Sequence, residues 1–165
     1  MLTYQIAQCC KTLKLGSSLA RNSETVETDD RQQYLLELLR MEISGREKAK
    51  TERLIQKAGF PARKELKDFV YDEVKVPSGL TPAVLESGDF IANKENLILY
   101  GNVGTGKTHL ATAITANVVR AGARGRYFNT VDLVNRLEEE ARLGKAGSLA
   151  TQLSRLDLVV LDELG

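Results

Sequence analysis

The sequence predicts an α/β protein: a parallel sheet flanked by helices, preceded by a small helical region. Three observations carry this. Short apolar runs at residues 97–100, 126–129 and 158–161 alternate with helical patterns, the order that builds parallel sheets. The first run opens directly into Gly101-Asn102-Val103-Gly104-Thr105-Gly106-Lys107-Thr108, a glycine-rich turn that leads into a helix. Residues 1–66 show no strand pattern, and their apolar residues recur at helical spacing.

The composition suits such a fold. With 165 residues the chain has room for one domain, or one small domain and part of another. Hydrophobic residues at 42% and charged residues at 27% argue for a packed soluble core rather than disorder. A formal net charge of +1 creates no global field toward nucleic acid or membrane. Aromatics at 5%, with no Trp, argue against an aromatic stacking platform. Met1-Leu2-Thr3-Tyr4-Gln5 shows no basic stretch ahead of an apolar core, so no secretory leader is expected. No apolar run approaches the ~18 residues of a membrane helix. Cys9 and Cys10 are adjacent, and neighbours rarely pair, so free thiols in a reducing cytoplasm are expected.

Residues 4–15 and 17–24 read as short helices broken at Gly16. From Arg31 the apolar residues Tyr34, Leu35, Leu38 and Leu39, and later Leu54, Ile55 and Ala58, recur at three and four. Thr28 or Asp29 is expected to cap this helix, Gly45 to kink it, and Gly59 with Pro61 to stop it. Between Arg46 and Lys67 stand eight basic and three acidic residues, a net of +5. A solvated helix face accounts for such a run. A surface for nucleic acid or an acidic partner, concealed by the near-neutral total, is the sharper reading.

Phe60-Pro61, Val76-Pro77 and Ser78-Gly79 mark residues 60–80 as a connector. A domain boundary near residue 66 separates a helical partner-binding region, 1–66, from an α/β part, 67–165. Phe69 and Tyr71 read as core residues, with flanking of a bound base as the alternative. Thr81-Pro82 is an N-cap followed by proline at the first helical position, opening a helix to about Ala92.

The glycine turn matches G-x-x-x-x-G-K-[ST], and strand, glycine loop, helix is the context a phosphate-binding loop requires. A chance match at any start point is on the order of one in 10⁴ or rarer. Polyphosphate is anionic and strongly hydrated. Several backbone N–H groups must converge to replace its water, and Gly101, Gly104 and Gly106 permit that close approach. The helix that follows adds the positive end of its dipole. Lys107 would reach the β- and γ-phosphates, and the Thr108 hydroxyl would ligate Mg²⁺. The candidate nucleotide-binding residues are therefore Gly101, Asn102, Val103, Gly104, Thr105, Gly106, Lys107, Thr108 and His109. His109, the only histidine, suits a capping role, with a nucleotide-edge contact as the alternative.

Residues 126–129 form a second strand, 131–143 a helix with Leu133, Val134 and Leu137 on one face, and 149–156 a short helical segment. The last apolar run ends in Asp162-Glu163. Asp162 would hold Mg²⁺ and Glu163 would polarise an attacking water as general base. Both motifs fall at carboxyl ends of parallel strands, where open α/β sheets place ligands. The catalytic candidates are Glu163 and Lys107, and the metal candidates Thr108 and Asp162. Lys94, Arg120, Arg124 and Arg126 are phosphate or DNA candidates by charge alone, with solvated surface as the default.

The run from Gly101 to Leu110, the run Tyr127-Phe128-Asn129-Thr130-Val131-Asp132-Leu133-Val134, and the run Leu158-Val159-Val160-Leu161-Asp162-Glu163-Leu164-Gly165 together resemble the IstB/DnaC group of AAA+ ATPases. Residues 60–71 resemble that group's lead-in to the ATPase domain. The similarity covers most of the chain, is weakest in the first 28 residues, and is closest to the IstB-like helpers of insertion-sequence transposition. The resemblance implies a P-loop NTPase (AAA+) fold, ATP and Mg²⁺ as cofactors, a homo-oligomer in the cytoplasm, double-stranded DNA, and a transposase or a replicative helicase as partner. The family's ATPase domain continues through a sensor strand, an arginine finger and a helical lid. The sequence stops at Gly165, so none of these can be assigned. The resemblance therefore implies a C-terminally truncated chain. Its sheet would be incomplete, with an empty lane between residues 97–100 and 158–161, its stability low and its hydrolysis weak or absent.

Three function classes follow. The first is a helper ATPase acting with a transposase on target DNA, or its helicase-loading counterpart in replication. The second is a small-molecule kinase using the same loop, although Asp162-Glu163 fits water activation better. The third is a non-catalytic protein whose helical region binds a partner.

Overall fold

The computed structural model describes residues 2–71, 74–77 and 79–164. Ser78 of the expected connector and Gly165 of the last motif lie outside the described residues, as do Met1, Asp72 and Glu73. The chain forms two compact units, Met1–Lys50 and Thr51–Gly165.

The first unit is helical. It holds α1 (Leu2–Thr12), α2 (Leu19–Asn22) and residues 31–50 of α3 (Arg31–Ala58). Its small core is Cys10, Ala20 and Leu38, all buried. Both cysteines are free thiols, Cys9 exposed and Cys10 buried. The turn at Gly16 is pinned by Glu42, whose Oε1 accepts the Gly16 amide and Arg46 Nε, each at 2.7 Å. Glu42 is only 6% exposed, and the Arg46 guanidinium and the Gly16 amide hold its carboxyl below the usual range despite burial. A Cβ on Gly16 would come within 2.6 Å of Glu42 Oε2, which explains the glycine better than a need for unusual backbone angles. The cap of α3 is Asp30, not Thr28 or Asp29. Its Oδ1 accepts the amides of Gln32 and Gln33, while Thr28 turns its hydroxyl to the Asp30 amide. Helix α3 continues through Gly45, and nothing packs within 4 Å of a Cβ at that position. It ends as expected, with Gly59 left-handed at φ +71.

The second unit carries α/β architecture. Its elements are residues 51–58 of α3, a 3-10 turn (Leu66–Asp68), α4 (Pro82–Ser87), α5 (Asp89–Ala92), α6 (Lys107–Arg120), β1 (Gly125–Asn129), α7 (Thr130–Arg142), α8 (Ser148–Leu153) and β2 (Leu158–Asp162). The second compact unit begins at Thr51. The physical reason is burial: Ala58 is fully buried, and Leu66 belongs to the core that also holds Leu85, Phe90 and Leu110. Thr81 caps α4 as expected, accepting the Val84 amide at 3.3 Å. The single helix expected to Ala92 is broken into α4 and α5 by Gly88, left-handed at φ +73. A Cβ there would lie 2.3 Å from Val118 Cγ1, so the break lets this segment approach α6.

Strands β1 and β2 pair in parallel, with Gly125 opposite Leu158, Tyr127 opposite Val160 and Asn129 opposite Asp162. Parallel partners share a face. Gly125, Tyr127 and Asn129 therefore lie on one side with Leu158, Val160 and Asp162. Helix α6 covers that side. A Cβ on Gly125 would lie 2.8 Å from Val119 Cγ2 and 3.0 Å from Thr115 Cγ2 on α6, so glycine sets how closely helix and strand pack. The opposite side carries Phe128, buried with Leu133 of α7 and Leu149 of α8. Helix α6 is the centre of the unit, buried from Leu110 to Val119 except for Ala111 and Asn117, which are half-buried. Such a helix is apolar on nearly every side and needs neighbours all around it.

The run at residues 97–100 is not a paired strand. Leu97 and Leu99 pack on the core of α6, whereas Ile98 is 81% and Tyr100 90% exposed. The alternation expected of a strand is present, and no ladder partner is paired with it among the described residues. The sheet therefore has two strands, an incomplete version of the parallel sheet that the sequence predicts.

Candidate functional site

The site lies at the carboxyl ends of β1 and β2, beside the start of α6. The glycine loop, residues 101–106, is exposed up to Thr105 and half-buried at Gly106. Gly101, Gly104 and Gly106 all take positive φ, at +151, +83 and +86, angles at which a Cβ is strained. Gly106 is the N-cap of α6 and a Cβ on it would meet Phe69 Cε2 at 3.0 Å. Phe69 thus buttresses the loop from outside. It meets Tyr71 edge-on at 4.9 Å and His109 at 5.4 Å. Phe69 and Tyr71 pack on the core around Leu66 and Leu110. His109 does not cap α6: its Nε2 lies 3.3 Å from the carbonyl of Glu65, tying the helix start to the connector. Glu65 in turn bonds Lys67 at 2.7 Å and lies 3.6 Å from Arg63 and Arg120. These cations, Lys67 first, hold its carboxyl below the ordinary range.

Lys107 turns back over the loop. Its Nζ donates to the carbonyls of Gly101 and Asn102, each at 2.7 Å. Its charge thus sits at the loop's mouth, held by two neutral acceptors that an anion could replace.

The structure brings Thr108 and Asp162 together across 54 residues: Thr108 Oγ1 donates to Asp162 Oδ2 at 2.7 Å. Tyr127 donates its hydroxyl to the same oxygen at 2.6 Å, and the Glu163 amide donates to Asp162 Oδ1 at 3.0 Å. Burial pushes the Asp162 carboxyl up, but the three donors and the nearby Lys107 charge outweigh it and the group sits below the usual carboxylate range. Burial and the Asp162 carboxylate push the Tyr127 phenol well above its ordinary value. Glu163 stands left-handed at φ +57, uncommon for a residue with a Cβ, as Lys14 and Lys94 also do. Its carboxylate accepts from Asn129 Nδ2, and Thr130 Oγ1 donates to the Asp162 carbonyl at 2.7 Å. Tyr127, Asn129 and Thr130 were not visible as site residues in the sequence. The available signal was their position at the carboxyl end of a strand parallel to the Asp162 strand.

An open cavity of about 810 Å³ adjoins these groups, lined by Thr108, Tyr127, Asn129, Asp162 and Glu163 and, farther out, by Arg126 and Arg136. The oxygen-only pair Thr108 and Asp162 suits a hard cation such as Mg²⁺. Among the described residues no group of three or more His, Cys, Asp or Glu could hold a metal alone. Of the residues singled out by charge, Arg124 is paired with Asp157 at 2.8 Å, Arg120 lies near Glu65, and Arg126 stacks over the Phe128 ring at 5.3 Å.

A glycine loop at a helix start, with a hydroxyl and a strand-end carboxylate meeting beside it, defines a phosphate-loop α/β protein of the nucleotide-binding kind. The family described as IstB-like ATP binding protein matches residues 10–165, and the chain belongs to that family. It is 32% identical over 132 residues to an insertion-sequence ATP-binding protein of Sinorhizobium fredii, covering 79% of this chain and 44% of that protein. It is 31% identical over 144 residues to the insertion sequence IS1162 ATP-binding protein of Pseudomonas fluorescens, covering 87% and 61%. With the IS5376 counterpart of Geobacillus stearothermophilus it shares 29% over 139 residues, covering 81% and 53%. The chain thus spans about half the length of these relatives. Among the described residues no helix is long and apolar enough to cross a membrane.

Proposed function

We propose that this chain carries the ATP site of a helper ATPase of insertion-sequence transposition, one that uses Mg-ATP to assist a transposase on target DNA. The observation that carries the ATP site is the 2.7 Å contact between Thr108 and Asp162. A structural glycine turn has no reason to bring a helix-start hydroxyl onto a strand-end carboxylate. A cation bridging a triphosphate to the protein requires that juxtaposition. In this reading the exposed amides of residues 101–106 wrap the β-phosphate. Lys107 exchanges its two carbonyls for phosphate oxygens. Thr108 and Asp162 would hold Mg²⁺, which when bound would supply positive charge against the phosphates. Glu163 orients the attacking water once its carboxylate is released by Asn129.

The transposition role rests on the names of the relatives, which are insertion-sequence ATP-binding proteins. Those names favour a transposase over a replicative helicase as partner. DNA contact, assembly of copies and a cytoplasmic setting belong to the same reading. Hydrolysis is distinguished from kinase chemistry by ATP turnover without an acceptor.

The test is equilibrium binding of a fluorescent ATP analogue with Mg²⁺, comparing wild type with Lys107→Ala, followed by phosphate release from wild type and Glu163→Gln. Lys107→Ala is expected to lose most affinity, because the triphosphate loses the only side-chain cation supplied by the loop. Equal affinities would remove the phosphate-loop assignment.

A further inference from the structure

We propose that Tyr127 is a positioning residue for the cation-side carboxylate, resting on the Mg-ATP reading above. Asp162 Oδ2 accepts two hydroxyls, Thr108 at 2.7 Å and Tyr127 at 2.6 Å. The two donors have different roles. The Thr108 oxygen would also serve a cation through a lone pair while keeping its O–H on Asp162, whereas the Tyr127 phenol serves the carboxylate alone. The Glu163 amide on Oδ1 and the Tyr127 phenol on Oδ2 are the two holders that a cation would not share. Without the phenol, Oδ2 would be held only by a hydroxyl that the cation would share. The phenol is what keeps Oδ2 aimed at the helix start.

The fold places this phenol well for the task. Tyr127 is the middle residue of β1, opposite Val160 in a parallel ladder and on the same face as Asp162. Its backbone is fixed by strand pairing, and its ring has only two side-chain torsions. It is half-buried. Hydrogen bonds from outer partners to metal-holding groups commonly cost 10–100-fold in metal affinity or activity when removed.

The test is a Mg²⁺ titration of fluorescent ATP-analogue binding by wild type, Tyr127→Phe, Tyr127→Leu and Asp162→Asn, with thermal melts of each. Tyr127→Phe keeps the ring and removes only the hydroxyl. The expected result is a rise of about 10-fold or more in half-saturating Mg²⁺ for Tyr127→Phe. Binding measured in EDTA is expected to stay within about twofold of wild type, because the loop amides and Lys107 are untouched. Tyr127→Leu should show the same Mg²⁺ shift with a lower melting temperature, separating hydroxyl from ring. An unchanged Mg²⁺ midpoint in Tyr127→Phe, with Asp162→Asn clearly shifted, overturns the proposal. So does a collapsed melt in Tyr127→Phe, which would make the hydroxyl a structural group. If wild type shows no Mg²⁺-dependent nucleotide binding, the functional reading itself falls and this inference with it.

Discussion

Replacing Gly106 with alanine tests the loop where its shape and its buttress meet. Gly106 sits at φ +86 as N-cap of α6, and an added Cβ would stand 3.0 Å from Phe69 Cε2 and 3.7 Å from Cζ. Two costs arise. A left-handed L-residue costs about 1–2 kcal/mol. The 3.0 Å approach requires Phe69 to yield by a few tenths of an ångström, and Phe69 is wedged against the core around Leu66, so overpacking adds about 1 kcal/mol. The sum is about 2–3 kcal/mol. If the loop keeps its shape, the cost appears as lost stability of the second unit. If the loop relaxes, it appears as weaker nucleotide binding, about 30- to 150-fold at the tenfold-per-1.4 kcal/mol conversion. Gly104 is the internal control: it is left-handed at φ +83, yet a Cβ on it meets nothing within 4 Å. Gly104→Ala should therefore show the strain alone. Adding Phe69→Leu to Gly106→Ala should return the contact part and leave the strain, so the cycle separates the two. The assays are thermal melting and equilibrium binding of a fluorescent ATP analogue on the same preparations. If Gly106→Ala equals wild type in both, or if Phe69→Leu rescues nothing, the coupling between Phe69 and the loop is refuted.

Asp157 is bonded to the Arg124 side chain and amide, which hold its carboxyl down from 3.8 to about 2. Its folded value lies below its unfolded value, so its contribution is complete above about pH 4 and disappears as pH falls through about 2. The melting difference between wild type and Asp157→Asn should be largest at pH 5 and vanish by about pH 2; a gap that widens in acid would contradict this sign. Lys48, Lys50, Arg53 and Lys57 are exposed on α3, and changing all four to Gln should weaken DNA binding and flatten its salt dependence. An unchanged slope of log affinity against log salt would return that helix to ordinary solvated surface. Ile98 and Tyr100 are exposed on an extended run with no ladder partner among the described residues, so Ile98→Lys with Tyr100→Lys should reduce concentration-dependent self-association of the 165-residue polypeptide. Light scattering that is identical for both proteins would show that this edge does not drive association.

What the sequence determined by itself was whatever depends on short stretches of chain. The glycine turn, the helix it opens, the stop at Gly59 and Pro61, and the cap at Thr81 are written within a few residues each, because backbone angles and orphan amides at helix ends select their residues locally. The strands at Arg126 and Leu158 were legible for the same reason, as β-rich runs bounded by turn residues. The tertiary structure decided everything that depends on what lies opposite. Residues 97–100 alternate like a strand, but pairing needs a neighbour, and among the described residues β1 and β2 pair only with each other. Gly88 reads as an ordinary helical position until Val118 stands 2.3 Å from where its Cβ would be. Tyr127 reads as a strand residue until the parallel register sets it on the same face as Asp162, 35 positions away in the chain. Local patterns specify conformation, whereas contacts across the sheet depend on register and on which face each side chain takes, and those are properties of two segments together.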